Sequence, residues 1–411
     1  MIENHEIEFL PDGGVVSAGG FQAGAARAGI KTTGDDIALV VAAQPATVAA
    51  VFTRNAFKAA PVLVCAEHVR GGFARAIITN SGNANCCTGA QGMAAARRTC
   101  DLVAVKLDCR PDEVLVCSTG IIGHQLPIEK IEAALPGLEL AEGDSVNEKL
   151  ARAVMTTDTV PKFCAARARF GAAWVTIGGQ VKGVGMIGPD MGPMAGPSHA
   201  TLLAYLTTDA EVPRDLLQLE LERAIERSFN SVTIDGDTST NDTALLLASG
   251  ASGVTIGPDN QALFAALLDA VCVPLAKMVA ADGEGATKLV TVEVHGAASE
   301  AEAKRAAMTV ANSPLVKTAI FGRDPNWGLI AAAIGRAGVE VEPSRVVIGL
   351  NGLEVFHNGE LAPFSPEAAE AAMAGSQLTI RAELGVGTAS WTAWTCDFSY
   401  DYVKINAEYH T

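Results

Sequence analysis

Short runs of aliphatic and β-branched residues alternate with alanine-rich runs of helical spacing along the whole chain. Each apolar run is brief and is bounded by glycine, aspartate or proline, which is typical of strands. The strands that this pattern predicts include Ala74–Thr79, Val114–Cys117, Ala173–Ile177, Val290–His295 and Leu378–Leu384. Because strands and helices alternate, and no repeat with a period of about 20 to 50 residues stands out, the pattern predicts a mixed α/β fold with a substantial sheet.

Residues that open or close a helix mark the clearest helical segments. A helix after Pro213 places a set of apolar side chains on one face. These are Leu217, Leu221, Ala224, Ile225 and Phe229. Ser299 is the predicted N-cap of a second helix, with the Glu302 side chain reaching back to it as in a capping box. Ser365 is the predicted N-cap of a third helix, which we expect to end near Gly375.

The segment from Gly178 to His199 is the least regular part of the chain, with seven glycines and three prolines. We expect a reason other than packing for this composition. Gly183, Gly185 and Gly188 form a G-x-G-x-x-G pattern, which in dinucleotide-binding folds opens a helix. Prolines follow here instead, so the pattern does not favour a nucleotide site.

Two features could suggest a metal site, and neither fits one. Cys86 and Cys87 are adjacent and lack the gap of a zinc knuckle. Asp235 and Asp237 resemble the start of a calcium loop, but Thr240 stands where that loop needs glycine. The seven histidines are scattered along the chain. We therefore expect no bound metal and no cofactor.

Composition and charge limit the partners and the cellular compartment that we expect for this protein. The net charge of −16 opposes binding to nucleic acid or to anionic membranes, and we expect neither as a partner. Residues 1–14 are acidic where a secretory signal needs a basic and then an apolar segment, so we predict a cytoplasmic protein. The most apolar stretch, Ile37–Phe52, is too short to span a bilayer. The nine cysteines follow no framework spacing, which predicts reduced thiols in the core.

Motifs of small polar residues recur along the chain and point to chemistry that the general pattern does not explain. They are Thr79–Asn85, Ser118–Gly120, Met155–Thr159, Lys182–Ile187, Thr207–Ala210, Asp282–Gly285, Asn312–Thr318, Asp324–Gly328 and Asn406–Thr411. In this order they resemble the ornithine acetyltransferase family of arginine biosynthesis, also called the glutamate N-acetyltransferases. The resemblance runs from about Val40 to Thr411. It implies mixed sheets with helices on their outer faces, in a layered αββα arrangement.

The resemblance also implies that the chain cuts itself between Ala200 and Thr201. Residues 1–200 would form an α fragment and residues 201–411 a β fragment, folded together and assembled as a heterotetramer of two α and two β fragments. A threonine hydroxyl is a poor nucleophile at neutral pH and needs a base within hydrogen-bond reach. Cleavage supplies one, because the freed α-amino group of Thr201, with an ordinary pKa of about 7.7 to 8.0, can accept the hydroxyl proton.

The family's oxyanion hole corresponds to Thr119 and Gly120, which would stabilise negative charge on the acetyl oxygen. By the same resemblance, the substrate pocket would contain residues from both fragments. They are Thr156, Thr157, Lys182, Thr201, Glu284, Asn406 and Thr411. A lysine and a glutamate suit a zwitterionic amino acid, because one can face its carboxylate and the other its ammonium group.

One departure from the family pattern lies just before the cleavage site. The family runs from a Pro-Asn-Met motif directly into Ala-Thr, whereas Gly192 to His199 stand between Met191 and Ala200 here. An ungapped comparison would put Pro193 at the nucleophile position, where it cannot do the chemistry. We therefore treat the eight residues as an insertion that could affect processing.

The resemblance implies transfer of the acetyl group of N2-acetyl-L-ornithine to L-glutamate through an acetyl-threonine, in a ping-pong cycle. Acetyl-CoA is a candidate second donor. One alternative is an amidase or aminopeptidase with the same nucleophile and with water as the acceptor. Another is an unprocessed homologue that only binds amino acids. Product analysis with and without glutamate distinguishes the first two, and an intact chain that binds ornithine would indicate the third.

Overall fold

Residues 7–193 and 202–408 are described by a computed structural model. Contacts within the chain divide these residues into two units. The first unit contains residues up to 230 together with 237–275. The second contains residues 231–236 and those from 276 onward. Each unit has a mixed sheet of its own and a buried apolar core, which confirms the predicted mixed α/β fold.

The first unit is built on a ten-stranded sheet. Its strands are β1 (Glu8–Leu10), β2 (Phe21–Ala26), β3 (Ile37–Thr53), β4 (Phe73–Asn83), β5 (Val114–Ile121), β6 (Lys162–Phe170), β7 (Ala173–Lys182), β8 (Met191–Gly192), β9 (Leu203–Thr208) and β10 (Thr243–Ala248). The main order is β1-β6-β7-β9-β10-β3-β4-β5, and β2 and β8 both pair with the long strand β3. The pairs β9–β10 and β4–β5 are parallel, and the other pairs are antiparallel.

Every residue of β9 and β10 is buried. Their sequences are nearly continuous apolar runs, as expected for parallel strands covered on both faces. Strands from both sides of the predicted cleavage bond therefore enter the same sheet, since β9 pairs with β7 on one side and with β10 on the other.

The helices of the first unit are α1 (Ala60–His68), α2 (Gly89–Leu107), α3 (Ile128–Ala134), α4 (Asn147–Val154), α5 (Arg214–Arg227) and the beginning of α6 (Gln261–Ala281). Within the described residues, α6 is long and apolar enough to cross a membrane by length and composition alone. Its Val271 and Leu275 side chains lie against Gly179 of β7. Both side chains are fully buried, as in a core helix.

The second unit has a six-stranded sheet in the order β14-β13-β12-β15-β11-β16. Its strands are β11 (Leu289–Ala297), β12 (Val347–Leu350), β13 (Leu353–His357), β14 (Glu360–Leu361), β15 (Gln377–Glu383) and β16 (Ala389–Cys396). Its helices are α7 (Glu300–Ala311), α8 (Pro314–Phe321), α9 (Trp327–Gly335), α10 (Pro366–Ala374) and α11 (Tyr400–Glu408). Burial alternates along most of β11, so one face of this sheet packs on the core.

The predicted strands are confirmed as β4, β5, β7, β11 and β15, and most of them are longer than the apolar runs that indicated them. The helix after Pro213 ends at Arg227, so Phe229 lies beyond it in a short 3-10 turn. Ser299 and Ser365 are N-caps as predicted. The capping box at Ser299 is wrong, because the Glu302 carboxylate accepts a hydrogen bond from the Glu340 N–H instead.

We expected a reason other than packing for the glycines of the segment from Gly178 to His199. For the first two of them this expectation is wrong, because packing explains them. Gly178 and Gly179 are interior positions of β7. A Cβ at Gly178 would lie 1.9 Å from the Gly14 carbonyl oxygen, so the backbone of the preceding segment passes directly over this strand. Residues 194–199 of the same region lie outside the described residues.

Candidate active site

The carboxyl ends of the parallel strands β4 and β5 lie side by side and carry the predicted oxyanion residues. Thr119 is paired with Ser81, and Gly120 with Gly82. Gly120 has a φ of +132°, and a Cβ there would lie 2.3 Å from the Gly82 carbonyl carbon. Only glycine allows this close approach of the two backbones.

Amide side chains hold this end of β5 in place. The Ser118 hydroxyl donates to the Asn80 side-chain oxygen at 2.6 Å. The Asn241 side-chain amide donates to the carbonyl oxygens of Ala84 and Ser118 at 2.6 and 2.8 Å. Ser118, Asn80 and Asn241 are buried, so these bonds satisfy polar groups that water does not reach.

Lys182, the last residue of β7, points its ammonium group at the end of β5. Its relative exposure is 3%. Nζ donates to the Thr119 hydroxyl oxygen at 3.2 Å and to the Thr156 hydroxyl oxygen at 2.9 Å. The structure therefore brings together three of the predicted site residues, Thr119, Thr156 and Lys182. Thr157 follows Thr156 in the same bend and is half-buried.

A buried carboxylate balances the charge of Lys182. Asp158 Oδ2 lies 3.8 Å from Lys182 Nζ, and Asp158 Oδ1 accepts hydrogen bonds from Lys162 Nζ and the Gly183 N–H, both at 2.8 Å. Burial alone would raise the pKa of Asp158, but the two ammonium groups and the Gly183 N–H outweigh it and lower the pKa to about 2. Asp158 is therefore ionised at neutral pH and fixes the position of Lys182.

Strand β9 begins two residues after the predicted nucleophile, Thr201, and its neighbouring strands fix the position of Leu202 and Leu203. Leu203 is paired with Lys182 of β7 and with Thr243 of β10. Leu202 is fully buried, and its N–H donates to Asp242 Oδ1. The register thus sets the chain immediately after residue 201 beside Lys182, whose ammonium group contacts Thr119.

The other predicted pocket residues lie in the second unit. The Asn406 side-chain amide, on α11, donates to Glu284 Oε2 at 2.9 Å and to the Tyr402 carbonyl oxygen at 3.0 Å. Glu284 is half-buried and Asn406 is exposed. The predicted pocket residues in the described part of the chain thus form two groups, one in each unit. Ala200, Thr201 and Thr411 lie outside the described residues.

Within the described residues, 7–193 and 202–408, no group of three or more His, Cys, Asp and Glu side chains is arranged to hold a metal ion. The nine cysteines are free thiols, and six of them are buried. Cys100 is a buried core residue, and burial raises the pKa of its thiol to about 12, which disfavours the nucleophilic thiolate.

Sequence reasoning missed Asp158, Lys162 and Asp242 as site residues. Asp158 lay within a quoted motif without a role. Lys162 is a lysine next to an apolar strand, and Asp242 comes directly before the apolar run of β10. The signal that could have found them is a charged side chain at a position where the apolar sequence pattern predicts burial. Such a charge needs a partner of opposite charge or hydrogen bonds inside the protein.

A cluster of buried charged and hydroxyl side chains that includes a carboxyl with a strongly lowered pKa is a candidate enzyme active site. Comparison of the sequence with protein families makes the class specific. The chain belongs to the ArgJ family, whose profile matches residues 22–411. This assignment confirms the family resemblance and the predicted enzyme class, a glutamate N-acetyltransferase.

Full-length relatives support the same assignment. The chain is 47% identical to the arginine biosynthesis bifunctional protein ArgJ of Geobacter sulfurreducens, over 95% of this chain and 99% of that protein. It is 46% identical to the protein of the same name from Thermosynechococcus vestitus, over 97% and 98% of the two chains.

Solved structures of the family also match. The arginine biosynthesis bifunctional protein from Bacillus halodurans is 42% identical, with a TM-score of 0.48 over 49% of this chain and 97% of that chain. An ornithine acetyltransferase from Mycobacterium tuberculosis, solved with ornithine, is 41% identical, with a TM-score of 0.43 over 46% of this chain and 100% of that chain.

Proposed function

We propose that this chain transfers the acetyl group of N2-acetyl-L-ornithine to L-glutamate, with Thr201 as the nucleophile. The observation that carries the proposal is the position of Lys182. It is the strand partner of Leu203, two residues after Thr201, and its ammonium group donates to the hydroxyl of Thr119. A candidate nucleophile, a fixed positive charge and a candidate oxyanion donor are thus linked through one strand end.

The first step is self-cleavage of the bond between Ala200 and Thr201. The Thr201 hydroxyl attacks the Ala200 carbonyl, the peptide bond becomes an ester, and water hydrolyses the ester to leave a free α-amine on Thr201. The chain is anchored on both sides of residues 194–201. Gly192 pairs with Phe52 of β3, and Leu203 pairs with Lys182 of β7.

Acylation follows the same chemistry on the substrate. The Thr201 α-amine takes the hydroxyl proton, and the oxygen attacks the acetyl carbonyl of acetylornithine. The Thr201 ammonium then gives its proton to the leaving nitrogen, the C–N bond breaks, and ornithine leaves as the amine. Lys182 donates to the Thr119 oxygen and thereby leaves the Thr119 hydroxyl proton free for the oxyanion. Gly120 allows the tight approach of β5 to β4 on which this position depends.

Deacylation returns the acetyl group to an amino acid. The α-amine of glutamate attacks the acetyl ester, which restores the Thr201 hydroxyl and gives N-acetylglutamate. Glu284 and Asn406 are the pocket residues that we assign to the charged ends of the amino acid, together with Thr411. Acetyl-CoA serves as a second donor to the same threonine in this proposal, and the processed enzyme is a heterotetramer of two α and two β fragments.

Denaturing electrophoresis with N-terminal sequencing tests the proposal. Wild-type protein should give two fragments, the second beginning at Thr201. Thr201→Ala should give one intact chain without transfer activity. Thr207→Val is the control, because Thr207 lies near the far end of β9 and its hydroxyl bonds to the Val15 carbonyl oxygen. This variant should still be cleaved.

Product analysis then identifies the acceptor. Ornithine release that depends on glutamate, with N-acetylglutamate as the product, supports the transferase. Release of free acetate at the same rate without glutamate would indicate an amidase instead. An intact wild-type chain that binds ornithine without turnover would indicate a binding protein. Parallel reactions with acetyl-CoA and glutamate test the second donor.

A further inference from the structure

Cys86 and Cys87 form a pair of neighbouring thiols in the turn that follows β4. Their sulfur atoms lie 3.7 Å apart, within contact distance. Successive side chains of an extended chain point in opposite directions, so two adjacent cysteines do not normally bring their sulfurs together. Here Asn85 and Cys87 have φ angles of +47° and +58°, in the left-handed region. This bend of the backbone brings the two sulfurs together.

Contacts with other segments hold this turn in place. The Ala60 N–H donates to the Asn85 carbonyl oxygen at 3.2 Å, and the Gly123 N–H donates to the Cys86 carbonyl oxygen at 3.0 Å. The Cys86 thiol donates to the Phe57 carbonyl oxygen at 3.4 Å. The short distance between the two sulfurs is therefore a property of the folded turn.

The two thiols differ in their access to solvent. All nine cysteines lie within the described residues, where Cys86 is buried and Cys87 alone is exposed. Burial raises the pKa of the Cys86 thiol to about 11, against the hydrogen bond with Thr240, and the neighbouring Cys87 adds to the rise. Cys86 is therefore a protonated thiol at neutral pH, and Cys87 is the sulfur that a dissolved reagent reaches first.

We propose that Cys86 and Cys87 are a site of reversible oxidation, at which exchange with a small-molecule disulfide joins their two sulfurs. Cys87 loses its proton and attacks one sulfur of the reagent, whose other half leaves and takes up that proton. The Cys86 thiol then releases its proton and attacks the Cys87 sulfur, and the second half of the reagent leaves as a thiol with this proton. The two protein thiols lose two electrons, and the reagent is reduced to two thiols.

The spacing of the backbone makes the resulting disulfide labile. Consecutive Cα atoms are about 3.8 Å apart, below the usual range of about 4.4 to 6.8 Å for disulfide-bonded cysteines. A strained or exposed disulfide has a more oxidising potential than a structural one and is readily reduced. Small thiols in a reducing compartment therefore return the pair to the dithiol form, as in a redox-sensing site.

Closing the disulfide changes a turn beside the candidate active site. The sulfurs must approach from 3.7 Å to about 2.05 Å, and Cys86 then has no proton to donate to the Phe57 carbonyl oxygen. The same turn is tied to the end of β5, because the Asn241 side chain holds the carbonyl oxygens of Ala84 and Ser118. Oxidation should therefore disturb the predicted oxyanion residues and slow acylation. This effect on acylation rests on the proposed function, whereas the oxidation itself does not.

Mass spectrometry of the native protein after incubation with oxidised glutathione tests the inference. Free thiols are blocked with iodoacetamide, and trypsin then releases residues 76–97, a peptide whose only cysteines are Cys86 and Cys87. We expect the wild-type peptide first to carry one glutathione and then to lose it, ending unalkylated and two hydrogens lighter than the dithiol form. Dithiothreitol should restore the dithiol. The raised pKa of Cys86 makes closure the slower step, so the intermediate should be detectable.

Three cysteine variants separate the two steps. Cys86→Ala should stop the reaction at a glutathione adduct on Cys87, and Cys87→Ser should prevent the reaction. Cys109→Ser is the matched control, because Cys109 is a half-buried thiol outside this turn. This variant should form the disulfide between Cys86 and Cys87 as the wild type does.

Single-turnover acylation measures the effect on the candidate active site. The oxidised wild type should acylate up to about 100-fold more slowly than the reduced protein, which is the effect of a displacement of about 1 Å at a site. Dithiothreitol should restore the rate. Cys87→Ser should keep the reduced wild-type rate before and after treatment with oxidised glutathione.

The outcomes distinguish this inference from the proposed function. A wild-type peptide that stays fully alkylated, or that keeps glutathione on Cys87 without closing, would overturn the inference, whether or not the variants fold. A reduced wild type that transfers no acetyl group would overturn the proposed function and leave the oxidation standing. Formation of the disulfide with no change in the acylation rate of an active wild type would refute the link between this pair and the active site.

Discussion

Lys182 in the first unit and Lys317 in the second are both buried, with relative exposures of 3% and 1%, but their ammonium groups meet different partners. Lys182 bonds to two threonine hydroxyls and faces the Asp158 carboxylate. Lys317 donates to the Thr395 hydroxyl oxygen and the Cys396 carbonyl oxygen, and lies 4.5 Å from the centre of the Phe398 ring. Burial lowers the pKa of Lys317, against the pull of Cys396 and Asp397.

The difference separates the proposed reactive site from a structural contact. Lys317 belongs to a motif that also contains Ser313 and Pro314, the N-cap and first residue of α8. Its neutral partners lie on β16 and just beyond, so it ties α8 to the edge of its sheet. Lys182 belongs to a network of charges next to the Thr119 and Thr156 hydroxyl groups, which we propose as part of the site. What distinguishes Lys182 from Lys317 is therefore the nearby Asp158 carboxylate together with two threonine hydroxyl groups.

The largest effect on stability should come from Asp158→Asn. It leaves Lys182 and Lys162 buried without their carboxylate, and breaking a buried ion pair typically costs about 3 to 5 kcal/mol. Urea unfolding measures this loss. Glu148→Gln is the control, because Glu148 pairs with Arg152 on the exposed surface of α4 and should change stability by less than about 1 kcal/mol. Equal costs for the two variants would contradict the paired arrangement.

Lys182→Met should lower the rate of acylation by about 100- to 1,000-fold, the usual cost of losing an oxyanion donor. Without the ammonium group, the Thr119 hydroxyl loses the donor that directs its proton. Single-turnover acylation with acetylornithine measures the change. A loss confined to KM would instead assign Lys182 to substrate binding alone.

The stability of the wild type should depend on the ionisation of Asp158. Its pKa in the folded chain is lowered to about 2 from 3.8. The stabilisation is therefore fully present above pH 3.8 and is lost as the pH falls towards 2. The difference between the two pKa values corresponds to about 2 kcal/mol. Unfolding of the wild type and of Asp158→Asn between pH 6 and pH 2 should show their stabilities converge by about that amount.

Lys317→Met should have the smallest effect on activity. Methionine removes the ammonium group but keeps most of the apolar stem, and no carboxylate within ion-pair distance in the described chain loses its partner. We expect a change in stability of about 1 kcal/mol and acylation kinetics like those of the wild type. A loss of acylation as large as that of Lys182→Met would remove the distinction between the two lysines.

Sequence patterns predicted the fold class, five of the strands and the capped helices, because burial periodicity and caps are local properties. The proposed oxyanion pair, Thr119 and Gly120, was available only through family resemblance. Asp158 and Asp242 could not be assigned from sequence, since their contacts with Lys182 and with the Leu202 N–H depend on strand register that brings distant residues together. At Glu302 the sequence predicted a local contact that the structure does not have. The Glu302 carboxylate accepts a hydrogen bond from the distant Glu340 N–H instead of forming the capping box.

The central claim, that Thr201 carries the acetyl group, is tested most directly by trapping the acyl-enzyme. Processed protein is mixed with acetylornithine in the absence of glutamate, quenched in acid and digested for mass spectrometry. We predict one added acetyl group on the peptide that begins at Thr201, released by hydroxylamine as an ester and absent after glutamate is added. An acetyl group on any other residue, or full activity from an uncleaved chain, would contradict the account.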